Sequence, residues 1–205
     1  MSDKKRLFVT GIGTGIGKTI VSAVLVEKLK ADYWKPVQSG DLADSDSIKV
    51  KQLISNKQSH FFPDTYQLTQ PFSPHKSAAL DGITIEATKF VLPNTENDLI
   101  IEGAGGLMVP LNNDFLIIDL IKQLNAEVVL VSRNYLGSIN HTLLSVFALK
   151  QRQIPIRGII FNGNNDAYSE VYILKSTNIE LLGRLPEFDK PDPGNIIEAG
   201  KYISL

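Results

Sequence analysis

Short apolar runs alternate with longer amphipathic stretches along this chain. "RLFVT" (Arg6 to Thr10) is an almost unbroken apolar run and predicts a buried strand. From Lys18 to Leu29 the apolar residues Ile20, Val21, Val24, Leu25 and Leu29 recur at helical spacing. "YWKPV" predicts a short second strand that Pro36 ends. "DLIIEG" (Asp98 to Gly103), "EVVLVS" (Glu127 to Ser132) and "RGIIFN" (Arg157 to Asn162) predict three more strands, each with few polar residues inside. Strands covered on both faces have that composition. Helical patterns separate them in "FLIIDLIKQL", "INHTLLSVFALKQ" and "DAYSEVYILKS". The alternation predicts an α/β fold, with a doubly wound and mostly parallel sheet. Residues 56–97 carry two proline-containing turns and one or two helices, with no clear strand pattern.

The length of 205 residues fits a single domain over 1–205. The net charge of −1 and the absence of a basic tract argue against nucleic acid as a partner. The chain has no cysteine, which excludes disulfides, zinc–thiolate sites and thiol nucleophiles. The apolar part of the opening "MSDKKRLFVTGIG" is too short for a signal peptide. No run approaches the roughly 20 apolar residues of a membrane span. The expectation is a cytoplasmic protein with no membrane association.

"GIGTGIGKT" (Gly11 to Thr19) joins the first strand to the first helix. Strand, glycine loop and helix start place free N–H groups and the positive helix end at one spot, which is an anion site. Lys18 is placed to reach β/γ-phosphates and the Thr19 hydroxyl to bind Mg²⁺, as in a P-loop NTPase. Five residues separate Gly11 from Gly17, one more than the common P-loop spacing. A dinucleotide fingerprint starting at Gly11 would need glycine where Ile16 stands, and the acidic ribose ligand is absent near Lys35. The loop therefore indicates a nucleoside triphosphate, without naming a reaction.

"YWKPVQSG" brings Lys35 to the carboxyl edge of the sheet, near the phosphate held by Lys18. A second cation there suits phosphoryl transfer, in which charge on the equatorial oxygens is stabilised. In "ADSDS", Asp44 and Asp46 are either Mg²⁺ ligands or helix caps. "LIIEGAGG" ends a strand with Glu102, followed by a flexible glycine turn, and the carboxylate suits Mg²⁺.

The segments "FVTGIGTGIGKT", "YWKPVQSG", "PFSPHKSAA", "IEGAGGLMVPL", "LGSINHTLLS", "GIIFN" and "GKYISL" keep their order over nearly the whole chain. Together they resemble the dethiobiotin synthetase family of biotin biosynthesis. The resemblance implies an ATP-dependent ring closure. CO₂ adds to an amine of 7,8-diaminononanoate, the carbamate is activated as a carbamic-phosphoric anhydride, and the second amine closes a cyclic urea. It implies catalytic roles for Lys18 and Lys35 and Mg²⁺ ligation by Thr19, Asp46 and Glu102, favouring Asp46 over Asp44. The implied nucleotide site comprises Gly15, Ile16, Gly17, Lys18, Thr19, Ile20, Asp46, Glu102, Gly103, Ala104, Gly105, Asn162, Gly163, Pro186, Glu187 and Phe188. Asn162 matches an adenine-reading asparagine, whose amide can both donate and accept. Thr14, Lys35 and Ser39 match positions that touch the diamine or its carbamate. Gly137, Ser138, Ile139 and Asn140 match a segment that binds the diamine carboxylate in the neighbouring subunit, so a homodimer is implied.

The chain departs from many relatives at Ile12, Gly13 and Gly15, where the loop loses an acidic residue, and at Leu107, where an aromatic is common. "DKPDPGN" after Phe188 does not align, so no ribose contact is assigned there. His75 and His141 fit a structured turn and a helix surface, and the substrate's own amines make a histidine base unnecessary. The alternative is a ParA/MinD-like regulatory ATPase. That class resembles this chain in its loop but carries a lysine where Gly13 stands here.

Overall fold

The protein is described by a computed structural model covering residues 4–205; Met1–Asp3, the start of the charged opening, lie outside the described residues. The strands are β1 (Arg6–Gly11), β2 (Asp32–Trp34), β3 (Val37–Ser39), β4 (Phe61–Phe62), β5 (Tyr66–Leu68), β6 (Leu99–Gly106), β7 (Glu127–Ser132), β8 (Ile156–Asn162) and β9 (Leu181–Leu185). The helices are α1 (Lys18–Leu29), α2 (Asp46–Leu53), α3 (Pro74–Leu80), α4 (Ile117–Gln123), α5 (Ser138–Gln151), α6 (Ala167–Thr177) and α7 (Pro193–Gly200). Seven strands form one sheet in the order β4-β2-β6-β1-β7-β8-β9. Every pairing within it is parallel.

Alternate residues of each central strand enter two separate apolar clusters. Phe8, Ile101, Val128, Leu130, Ile159 and Phe161 face α4, α5 and α6, where Ile121, Leu149 and Ile173 meet them. Leu7, Val9, Ile100, Val129, Val131 and Ile160 face α1, α2 and α7, through Val24, Val50 and Ile196. A period of two has thus sorted the strands onto two covered faces, as their nearly continuous apolar runs require. Each buried aliphatic side chain contributes about 1.5–3 kcal/mol. Both layers hold the sheet rigid, and its carboxyl edge is free to carry chemistry. β1 sits at the centre between β6 and β7, so its loop opens into the crevice at that edge.

The second strand is not the single piece expected. β2 stops at Trp34, and Val37–Ser39 pairs instead with β5 in a small two-stranded parallel sheet. Pro36 has no N–H to continue the ladder. Its carbonyl accepts from Thr65 N and Tyr66 N, which turns the chain into the second sheet. Lys35 therefore lies in the joint between two sheets. The glycine turn expected after Glu102 is also corrected: β6 runs on through Gly106, because Gly106 still pairs with Gly11 of β1.

Between residues 56 and 97 the chain forms β4, β5 and α3, with a 3₁₀ turn at Ala87–Lys89. Two later elements had no clear pattern. In β9 the apolar run is broken by Gly183 and Arg184. Gly183 is needed because a Cβ there would lie 2.1 Å from the Tyr202 carbonyl oxygen, where the last residues bridge onto the strand. α7 starts at Pro193, with Asp192 accepting from Asn195 N at 2.8 Å.

Candidate active site

The loop after β1 ends in Gly17, whose φ of 95° is left-handed. A Cβ at this position would lie 2.1 Å from Asn162 Nδ2, so both backbone and space demand glycine. Asn162 Nδ2 donates to the Ile16 carbonyl at 2.9 Å and braces the loop from β8. Ile16 is buried and belongs to the α1-side core. Among the described residues no side chain caps α1, which leaves the N–H groups of its first turn to meet an anion. Lys18 is buried, and its ammonium donates to the Gly13 carbonyl at 2.9 Å. Burial lowers its pKa from 10.5 to about 8, with Glu102 pulling the other way.

Four side chains from four different segments meet beside that helix start. Thr19 Oγ1 lies 3.0 Å from Asp46 Oδ1 and 2.9 Å from Glu102 Oε1. Lys35 Nζ lies 2.5 Å from Asp46 Oδ2, 3.2 Å from Glu102 Oε1 and 3.3 Å from the Gly103 carbonyl. Burial pulls the Lys35 ammonium down, but Glu102 and Asp46 outweigh it and leave the group above its usual value. Asp46 is pushed up by partial burial and pulled further down by Lys35, and ends below the usual carboxylate range. Lys35 and Asp46 are therefore both charged at neutral pH.

The fold explains each placement. Glu102 sits on β6 next to β1, with its Cα opposite Val9. Asp46 is the first residue of α2, and its N–H donates to Gln38 Oε1 at 3.3 Å. The helix cap is Ser45, whose hydroxyl accepts from Ile48 N at 3.3 Å, so Asp46 is left free to face the site. Asp44 is exposed and paired with Lys49, away from the cluster. Two residues apart in sequence, the two aspartates are placed differently, and Asp46 is the one in the cluster. Tyr33 joins the cluster from beneath, donating its hydroxyl to Glu102 Oε2 at 3.0 Å. Burial first, then Glu102, pushes that hydroxyl well above its ordinary pKa, so it remains a donor.

Lys18, Thr19, Lys35, Asp46 and Glu102 line a cavity of about 670 Å³, walled also by Thr14, Gly15, Gly17, Ser39, Ala104 and Gly105. Ser39 also lines this cavity, and its buried hydroxyl has no hydrogen-bond partner among the described residues. Sequence reasoning missed Tyr33 behind Glu102, and in the cavity wall Gln38, Asp41, Val109 and Pro71–Pro74. "PFSPHKSAA" was the available signal for that wall, and Gln38 stood unassigned inside "KPVQSG". His75 is the second residue of α3 and lines a separate, open cavity with Asn112.

Other expected residues stand apart from this cavity. Gly163 follows Asn162 at the end of β8 and is tied to β9 by a bond from its N–H to the Leu185 carbonyl. Pro186, Glu187 and Phe188 follow β9; Glu187 pairs with Arg133 at 2.5 Å, and Phe188 packs on the α1-side core. Ile20 packs there too. Gly103 lends its carbonyl to Lys35 and nothing else to the cluster. Gly137 caps α5 in a left-handed conformation, followed by buried Ser138, half-buried Ile139 and exposed Asn140. That segment does not line the cavity.

A divalent cation is compatible with the cluster. Among the described residues no group of three or more histidine, cysteine or carboxylate side chains could hold a metal by itself. Two carboxylates and a hydroxyl do converge. Mg²⁺ is commonly bound by one or two carboxylates, with water and substrate phosphates completing its shell. Thr19, Asp46 and Glu102 are such an incomplete, all-oxygen donor set.

Residues 5–193 match a family described as an AAA domain. Solved structures share the fold. A ParA family ATPase from Chlorobium tepidum superposes with a TM-score of 0.54 at 16% identity, over 97% of this chain and 100% of that one. The cell division ATPase MinD from Pyrococcus furiosus does so with a TM-score of 0.55 at 13% identity, over 96% and 97%. At such identities the likeness is one of P-loop NTPase architecture alone. Sequence relatives are far nearer. The chain is 55% identical to the ATP-dependent dethiobiotin synthetase BioD of Christiangramia forsetii, over 89% of this chain and 88% of that protein. It is 50% identical to the BioD of Cytophaga hutchinsonii, over 87% and 86%. It is 41% identical to that of Agrobacterium fabrum, over 95% and 92%. With this identity sustained along nearly the full length of each relative, and with a P-loop, two buried lysines and two carboxylates meeting at one sheet edge, the chain belongs to the ATP-dependent dethiobiotin synthetase family, a family of ligases.

Proposed function

We propose that residues 1–205 form one catalytic domain that joins CO₂ to 7,8-diaminononanoate and closes the ureido ring of dethiobiotin at the expense of ATP. The observation that carries the reading is the convergence of Lys18, Thr19, Lys35, Asp46 and Glu102 on one cavity. The ParA/MinD-like alternative has only the fold in its favour, and Gly13 offers no side chain where that class has its lysine.

In this reading the free N–H groups at the start of α1 hold the phosphates of ATP, and Lys18 leaves the Gly13 carbonyl to meet the β/γ-phosphates. Thr19, Asp46 and Glu102 would hold Mg²⁺, which supplies charge neutralisation at the phosphates. One amine of the substrate attacks CO₂ and loses a proton, giving a carbamate. Lys35 and the unpartnered Ser39 hydroxyl orient that carbamate against the γ-phosphate. A carbamate oxygen bonds to the γ-phosphorus as the bond to the bridging oxygen breaks, and ADP leaves. Lys35 balances the charge gathered on the equatorial oxygens of the transferring group. The second amine then attacks the carbonyl carbon, phosphate departs, and a second proton is lost as the cyclic urea forms. The walls from Pro71–Pro74 and Val109 limit the entry of water to the anhydride.

Asn162, which donates to the Ile16 carbonyl, and Pro186–Phe188, which follow β9, would flank the base. The Leu136–Asn140 segment of a second copy would bind the substrate carboxylate at the helix start behind Gly137, which makes the working unit a homodimer. Phosphate release is the test, measured with ATP, Mg²⁺ and bicarbonate in the presence and absence of the diamine. Release that depends on the diamine, with a cyclic urea seen by mass, is the expected result. Steady release without diamine overturns the assignment in favour of a regulatory ATPase.

A further inference from the structure

We propose that Tyr33 is a positioning residue that ties up one oxygen of Glu102 and so makes it a single-oxygen ligand; the proposal rests on the reading of Glu102 as part of the Mg²⁺ site. Tyr33 is fully buried, and so is Glu102. β2 and β6 run parallel, with Tyr33 opposite Ile100. Glu102 is two residues beyond Ile100, so it stands on the same face of the sheet, one step nearer the carboxyl edge. The tyrosine ring packs against Phe61 with centroids 5.3 Å apart, and the hydroxyl reaches Glu102 Oε2 at 3.0 Å. The other oxygen, Oε1, receives Thr19 and Lys35 on the cavity side. A phenylalanine would fill this core position equally well. The hydroxyl is a polar group taken out of water, a cost that its bond to Glu102 offsets.

The two carboxylate oxygens thus have separate duties: one faces the cavity, the other is held from behind. Hydrogen bonds of this kind to ligating side chains typically change metal affinity by about 10–100-fold. They also bear on selectivity. Mg²⁺ needs a strict octahedral shell, whereas Ca²⁺ readily takes both oxygens of one carboxylate. A glutamate pinned through Oε2 favours the smaller ion.

The test uses the full chain with ADP and Mn²⁺ as the paramagnetic probe, titrated by electron paramagnetic resonance. Tyr33→Phe is expected to weaken Mn²⁺ binding by roughly 10-fold, and to make Ca²⁺ a better competitor relative to Mg²⁺. In a Glu102→Gln background the same substitution should add nothing, because its effect passes through Glu102. Unchanged Mn²⁺ affinity and an unchanged Ca²⁺-to-Mg²⁺ ratio in Tyr33→Phe would overturn the proposal while leaving the Glu102 reading intact. Equal Mn²⁺ binding by wild type and Glu102→Gln would instead remove Glu102 from the metal site, and the proposal with it. A measurement that needs no Tyr33 variant covers the case in which Tyr33→Phe fails to fold. The Mg²⁺-induced infrared difference spectrum, wild type minus Glu102→Gln, should show the wide carboxylate band splitting of single-oxygen ligation. A narrow, two-oxygen splitting overturns the proposal.

Discussion

Lys35 Nζ lies 2.5 Å from Asp46 Oδ2, with the lysine side chain buried and the carboxylate partly open to the cavity. The ammonium also meets Glu102, so one cation is shared by two acids. Lys35→Ala therefore has two consequences. Turnover should fall by roughly 10²–10³, the usual cost of losing one transition-state donor, while ATP binding changes little. Steady-state kinetics beside an equilibrium nucleotide titration would check this, and an unchanged kcat would remove Lys35 from the chemistry.

The same variant leaves two neighbouring carboxylates without their counter-charge. Breaking a buried pair from one side typically costs about 3–5 kcal/mol. A divalent cation can take over the role of the lost ammonium. Thermal melts of Lys35→Ala should show a clear loss of Tm in EDTA and a partial recovery at saturating Mg²⁺. Wild type should respond much less, since its acids are already paired.

Gly17→Ala should be damaging on its own. The residue holds a φ of 95°, and the new methyl would meet the Asn162 amide at 2.1 Å. Backbone strain of this kind costs roughly 1–3 kcal/mol. The expected phenotype is a lowered Tm together with lost nucleotide binding, because the loop must move away from β8. Chemical denaturation and an ADP titration would measure the two effects.

Lys18 gives a pH dependence with a definite sign. Its pKa in the folded protein is about 8, against roughly 10.4 in an unfolded chain. Between those values the unfolded state binds more protons, so the Lys18 contribution to stability is least favourable below pH 8 and improves as pH rises. Binding moves the opposite way, because the neutral amine no longer attracts phosphate. The expected result is that kcat/KM for ATP falls as pH rises through about 8, while kcat holds to higher pH. In denaturant titrations the stability difference between wild type and Lys18→Met should narrow or reverse across the same interval.

The proposed interface is open to a substitution on α5. Leu136 is fully exposed beside Gly137, and Leu144 and Phe147 stand exposed further along α5. Phe147→Asp should shift sedimentation toward monomer and raise the KM for the diamine, leaving ADP affinity nearly intact. Full activity in a demonstrated monomer would exclude a site completed by a second copy.

The sequence made much of this arrangement readable, for identifiable reasons. β1, the loop and α1 form one continuous stretch, so period, glycine spacing and the Lys18–Thr19 pair all point to one place. Glu102 was legible because an acid at the end of an apolar strand has few structural explanations. Tyr33 was not, since an aromatic in a short strand reads as core, and its polar partner lies 69 positions away. The joint at Lys35–Pro36 showed only as a strand end, because pairing with Tyr66–Leu68 is non-local. The extension of β6 through its glycines was hidden for a similar reason: the partner strand, not the local residues, keeps them extended. β9 was obscured by Gly183 and Arg184, whose partners come from the last residues and from α6.

The walls of the cavity hold Lys18 and Lys35 against Asp41, Asp46 and Glu102, two positive side chains facing three negative ones. A pocket with that balance does not draw in a tetra-anion from a distance. What it offers is local: backbone amides at a helix end and lysines that must turn from carbonyl and carboxylate partners toward phosphate. Nucleotide capture is then governed by short-range exchange of partners within the pocket, with little long-range steering. Its association rate should be modest and nearly flat with ionic strength, and ATP escorted by a divalent ion should enter far more readily than the bare anion.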